Sequence, residues 1–123
     1  MITIERVHEI LDRIACELPE EFYRELNGGI LLLPEAVESP DSEDGDLFIM
    51  GEYVEDPSMG RMIYIYYGSF VEVLGNIGEK ELEEELRETL YHEFTHHMES
   101  LAGERGLEIE DERKLADYRR RKK

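Results

Sequence analysis

The sequence predicts an α+β fold, in which a small mixed or antiparallel sheet packs on one long helix and further helices stand at the N- and C-terminal ends. Two patterns and the chain length carry this expectation. Apolar residues recur at intervals of three and four near the start of the chain and again from about 79 to 101, the period of an amphipathic helix. Between these segments, short runs rich in Ile, Leu, Val and Tyr are bounded by Gly, Pro, Asn and Asp, as strands are. At 123 residues the chain has the length of one domain, expected to span 1–123, with no internal repeat or linker.

The first helix runs over Thr3 to Leu18. Val7, Ile10, Leu11, Ile14 and Leu18 share one face, and Thr3 suits the N-cap, where its hydroxyl can accept from a first-turn N–H. Cys16, the one cysteine, cannot form an internal disulfide and reads as a small buried residue beside Ala15 and Ile14. His8 has no partner pattern and reads as a surface residue. Pro19 restarts the chain, and residues 19 to 26 read as a second short helix stopped by Asn27-Gly28-Gly29.

The run Ile30-Leu31-Leu32-Leu33 is too short for a helix and suits a buried strand. Residues 34–46, made of proline, serine and acids, form a loop. Two further runs, 47–54 and 61–67, flank the turn residues 55–60 and read as a β-hairpin or as two strands on a longer loop. Tyr64, Tyr66 and Tyr67 fit sheet packing, since a half-buried strand favours aromatic residues. Residues 69–74 are ambiguous, and Gly75-Asn76-Ile77-Gly78 is a turn. The long helix then runs from about Glu79 to Leu101 and is stopped at Gly103; a final helix begins near Ile109 and carries Leu115 and Tyr118.

At 100° per residue, with Leu90 at zero, Leu82, Leu86, Phe94, Met98 and Leu101 all fall within about 80° and form the face that packs on the sheet. His92 falls at about 200° and His96 at about 240°, away from that stripe and one above the other. Glu93 lies beside them at about 300°, and His97 falls inside the stripe at about 340°. Two imidazoles four residues apart on one helical face can converge on one divalent ion at about 2.0–2.1 Å. Glu93 is then placed to reach a water on that ion without being a ligand.

This is the H-E-x-x-H pattern, in which a zinc-bound water is deprotonated by the glutamate as it attacks a carbonyl. The bland alternative is a solvated histidine pair; from the composition of this chain, chance would supply the pattern with a probability on the order of two per cent. His97 reads as a core histidine or one that supports a ligand from behind. A catalytic zinc takes three protein ligands and keeps one open position, so a third is needed. Glu99 lies seven residues after His92, about 10.5 Å along the axis, with His96 between them, which makes a shared ion difficult. Beyond Gly103 the chain can turn back and offer Glu104, Glu108, Glu110 or Asp111.

These residues resemble the small bacterial zincin-like metallopeptidases, or minimal zincins, and the similarity runs from the first helix through ELPEEFYRELNGGILLLPE and the two strands to the last helix. The pattern of that family is H-E-x-x-H-H-x-G-x-x-D, with the two spaced histidines and the aspartate as zinc ligands. His92, Glu93, His96 and His97 match it directly. Glu99 stands where the pattern has glycine, and Ala102 where it has aspartate. The longer connection 100–108 before Ile109-Glu110-Asp111 resembles a subgroup in which Asp111 takes the role of the aspartate, with Glu110 and Glu99 as alternatives. The resemblance implies a minimal zincin-like fold, zinc as cofactor, a peptide or protein as substrate, and Glu93 as the catalytic base. A tyrosine of the hairpin is a candidate for stabilising the oxyanion.

Two rivals come from other classes. One is a non-catalytic metal-binding or protein-interaction module on the same fold; the departures from the pattern favour it, whereas Glu93 argues against it. The other is a hydrolase acting on nucleic acid, which the charge disfavours. The formal charge is −17, from 31 acids against 14 bases, and repels phosphates and anionic headgroups alike, so neither nucleic acid nor membrane is an expected partner. The basic run Arg119 to Lys123 reads as a solvated helix end. MITIERVHEILDRI lacks the continuous apolar core of a signal peptide, and no run is long enough to span a bilayer, so a cytoplasmic location is expected.

Overall fold

The computed structural model describes residues 2–105. The helix expected near Ile109, and Glu108, Glu110 and Asp111, lie outside the described residues. The fold is α+β, as the hydrophobic patterning predicts. Helix α1 (Ile4–Ala15) opens on Thr3, whose hydroxyl accepts from the Arg6 N–H at 3.2 Å. Its stripe of Val7, Ile10, Leu11 and Ile14 is buried. Cys16 is exposed, contrary to the expectation from its neighbours: it caps α1 two residues beyond Ile14, and about 200° of rotation carries it to the far side of the stripe.

Residues Glu20–Tyr23 form a short 3-10 turn and not the longer helix expected. Arg24 turns extended, and Glu25 adopts a positive φ of 62° that no α-helix continues through. Four strands come next: β1 (Gly29–Leu33), β2 (Val37–Glu38), β3 (Phe48–Ile49) and β4 (Gly51–Asp56). Strand β5 (Gly60–Tyr66) completes a mixed sheet of order β1-β5-β4, parallel on its β1 side and antiparallel on its β4 side. The apolar run at 47–54 is thus divided at Met50. Its first part pairs with β2, within the segment expected to be pure loop, and its second part forms the hairpin with β5.

The hairpin turn is built by Asp56, whose carboxylate accepts from the N–H groups of Ser58 and Met59 at 2.8 and 2.9 Å, and by Gly60 at φ +87°. Tyr66 is buried, and the hydroxyl of Tyr67 donates to the Ile2 carbonyl at 2.6 Å, so both aromatics serve packing. The ambiguous residues after Gly68 are helical, within α2 (Tyr67–Leu74).

Helix α3 (Glu79–Arg105) lies across the sheet. Leu82, Leu86, Leu90, Phe94, Met98 and Leu101 are each at most 1% exposed, so the predicted stripe is the core face over its whole length. The helix does not stop at Gly103: Leu101 is still buried, and a glycine inside a helix costs only about 1 kcal/mol, which continued packing offsets. The core is completed by the α1 stripe, by Phe22 and Phe70, and by Ile63 and Ile65 of β5. Arg87 of α3 ties the helix to the end of α1 through a two-pronged contact with Glu17, at 2.9 and 2.8 Å, and a further bond to Glu83 at 2.9 Å. No helix among the described residues is long and apolar enough to cross a membrane.

Strand β4 is an edge strand, and it approaches α3 closely at one glycine. A Cβ on Gly51 would stand 2.8 Å from Thr89 Cγ2, 3.2 Å from the Tyr64 carbonyl oxygen and 3.3 Å from Ile65 Cδ1. Thr89 is β-branched and has little rotameric freedom in a helix, so it cannot swing aside cheaply. Gly51→Ala is expected to lower stability by about 1–3 kcal/mol, measured by denaturant unfolding. An unchanged midpoint would mean that β4 does not depend on this close approach.

Candidate metal centre

The face of α3 opposite the apolar stripe carries His92 and His96. Their rings meet edge to face, with centroids 4.7 Å apart and an interplanar angle of 87°. Nε2 of one lies 3.2 Å from Nε2 of the other. Two nitrogens that each stand 2.0–2.1 Å from one tetrahedral ion are separated by about 3.3–3.4 Å. The pair therefore has the spacing that a shared zinc requires, and neutral imidazole is the donor such an ion takes. Nδ1 of His96 is 3.2 Å from Oε1 of Glu99 on the next turn.

Glu93 sits between α3 and β4 and is only 6% exposed. Its carboxylate accepts from the backbone N–H of Tyr53, which fixes it against the edge strand. Burial raises its pKa above the usual carboxylate value, and the nearby Glu52 charge adds to this, while His96 and the Tyr53 amide act in the opposite sense. A carboxyl group held this way binds a proton more readily than a solvated one, as a general base working near neutral pH must.

His97, next in sequence, points the other way and is fully buried. Its Nε2 donates to the Arg24 carbonyl at 2.8 Å, and since a carbonyl only accepts, that nitrogen carries the proton. In the neutral ring Nδ1 is then the acceptor, and the hydroxyl of Tyr53 donates to it at 2.8 Å. Burial pushes the His97 pKa below the usual 6.5, which keeps the ring neutral. One inward side chain thus ties α3 both to the segment after the 3-10 turn and to β4. The same residue of β4, Tyr53, reaches His97 with its hydroxyl and Glu93 with its amide. Neither role is written in the H-E-x-x-H pattern; the only sequence signal was the place of His97 within the apolar stripe.

His92, Glu93 and His96 open on a cleft of about 670 Å³ whose other wall is β4, at Gly51, Tyr53 and Glu55. The Tyr66 N–H donates to the Met50 carbonyl at 3.0 Å, so the backbone groups of Met50, Glu52 and Val54 face β5. By alternation those of Gly51, Tyr53 and Glu55 face the cleft. Two of the hairpin tyrosines are engaged away from the cleft: Tyr53 directs its hydroxyl to His97, and Tyr66 directs its own to Glu52 at 2.8 Å. No group of three His, Cys, Asp or Glu positioned to hold a metal occurs among the described residues. Asp111 and Glu110, the expected sources of the third ligand, lie outside them.

A helix bearing H-E-x-x-H, laid beside the edge strand of a small mixed sheet with both histidines on the intervening cleft, has the architecture of a zincin. The chain belongs to the zincin-like metallopeptidase family, whose sequence profile matches residues 49–116 and so takes in β4, β5, α2 and α3. The fold is similar to that of a conserved hypothetical protein from Thermo thermophilus, with a TM-score of 0.70 and 39% sequence identity. That similarity covers 83% of this chain and 99% of the other. No curated protein matches the chain.

Proposed function

We propose that the protein is a zinc-dependent metallopeptidase in which His92, His96 and Asp111 hold the ion and Glu93 is the general base. The observation that carries this reading is the 3.2 Å spacing of the two Nε2 atoms, with the buried Glu93 carboxylate beside them on the wall of one cleft. Asp111 is assigned from the family pattern alone. Zinc, when bound, supplies Lewis acidity that makes water a nucleophile at neutral pH and polarises the scissile carbonyl. Glu93 takes a proton from the attacking water and returns it to the departing amine. Tyr53 holds that carboxylate in place through its amide.

The edge strand supports a peptide as the class of substrate. The backbone groups of Gly51 and Glu55, together with the Tyr53 carbonyl, face the cleft and can pair with an extended peptide laid along β4. The Tyr53 N–H is engaged by Glu93, so a peptide paired along β4 would pass beside the proposed base.

Metal analysis of the purified protein is expected to give about one zinc per chain. His92→Ala and His96→Ala should abolish binding, and Asp111→Ala should weaken it more than Glu110→Ala. The zinc-loaded protein should cleave members of a library of unstructured polypeptides, read by mass spectrometry, and a chelated sample should not. Stoichiometric zinc retained by both histidine variants would contradict the assignment.

A further inference from the structure

We infer that Glu99 is a positioning residue of the metal site, holding the His96 imidazole by Nδ1 so that Nε2 faces the ion, without entering the coordination sphere itself. This inference rests on the reading of His92 and His96 as zinc ligands. Glu99 follows His96 by three residues on α3, which places the two side chains one turn apart on the same face. Its Oε1 stands 3.2 Å from Nδ1 of His96. An ionised carboxylate only accepts, so the contact places the ring proton on Nδ1 and leaves the lone pair on Nε2.

Nε2 is the nitrogen that lies 3.2 Å from Nε2 of His92. Two imidazoles share a metal only if each offers an unprotonated nitrogen at the same point. A solvated histidine distributes its proton between both nitrogens and turns freely; the Glu99 contact selects one tautomer and one ring orientation in advance. The same contact puts the carboxylate on the side of the ring away from Nε2, which is not where a ligand to a shared ion would stand. The two neighbouring carboxylates across the cleft are engaged elsewhere. Glu52 accepts from the Tyr66 hydroxyl at 2.8 Å, and Glu55 accepts from Ser100.

The contact is exposed, with side-chain accessibilities of 47% and 54%, so its effect belongs at the lower end of the range for such supporting carboxylates. The test is zinc affinity, by competition with a chromophoric chelator, on wild type, Glu99→Ala and Glu99→Gln, with the absorption spectrum of the cobalt-substituted proteins as a second readout. Glu99→Ala is expected to lower affinity roughly tenfold. Glu99→Gln should recover most of that loss, because its amide oxygen accepts from the same Nδ1–H. All three cobalt spectra should coincide, since the ligands are unchanged.

Unaltered affinity in Glu99→Ala overturns the inference while leaving the zinc site standing. Equal losses in both variants with a shifted cobalt band also overturn it, because Glu99 would then be a ligand. A wild-type protein that takes up no zinc removes both the site and the inference.

Discussion

Glu93→Gln is expected to keep the zinc and lose turnover. The substitution preserves shape, and the glutamine oxygen can still accept from the Tyr53 N–H that holds the carboxylate now. The Nε2 atoms of His92 and His96, the proposed ligands, are untouched, so metal content should match wild type. What disappears is the capacity to take a proton from water, and general acid–base groups contribute about 10²- to 10⁴-fold to rate. Cleavage of the polypeptide library by wild type, by Glu93→Gln and by a chelated sample measures this loss.

The metal-free variant should also melt at the same temperature as wild type or higher. Burial disfavours the ionised carboxylate and so raises its pKa, and a neutral amide escapes that cost. Cleavage that persists equally in Glu93→Gln would exclude Glu93 as the base. Full zinc occupancy with no cleavage across a broad library would favour the non-catalytic metal-binding module.

The second large effect is expected from His97→Ala, and it falls on stability and not on metal content. Removing the ring leaves a cavity against Phe94 and takes one hydrogen bond from each of the Tyr53 hydroxyl and the Arg24 carbonyl. Cavity formation and the two lost hydrogen bonds together cost roughly 3–5 kcal/mol, a large share of the stability of a small domain. Denaturant unfolding reads the loss directly, and zinc per folded chain should remain near one.

The pH dependence has a definite sign. The pKa of His97 is depressed in the folded state by burial, so below the usual 6.5 the unfolded chain binds the proton more readily than the native one. Metal-free protein should therefore lose stability as pH falls from 6.5 toward the depressed value, with a slope of at most about 1.4 kcal/mol per pH unit from this group. His97→Gln should lack that component of the slope. A variant whose stability tracked wild type through this window would show that His97 does not titrate as its burial requires.

The features legible in the sequence are those that a single helix dictates. The stripe from Leu82 to Leu101 is buried as its spacing requires, and the same angular arithmetic separated the outward His92 and His96 from the inward His97. Thr3 caps α1 for an equally local reason. What the sequence concealed depends on pairing between distant segments. The division of the 47–54 run at Met50 follows from two different partners, β2 and β5, and no local period encodes that choice.

The parallel pairing of β1 with β5 is likewise non-local. At the site, Tyr53 meets His97 across 44 positions and Arg24 meets it across 73, so the contacts of His97 are hidden in the sequence, while the pairing of His92 with His96 on one helical face is plain. The early helix failed at Glu25, where a positive φ overrode a helical composition. Cys16 is exposed because its angle on α1, and not the apolar character of its sequence neighbours, decides which side it faces.

The central claim is that His92 and His96 share one zinc. Anomalous scattering at the zinc edge from crystals of the full chain tests it most directly. One peak is expected on the outward face of α3, within about 2.1 Å of Nε2 of both histidines, with the Glu93 carboxylate beside it but not bonded to it. A peak at His97, or none on this face in zinc-saturated crystals, would contradict it.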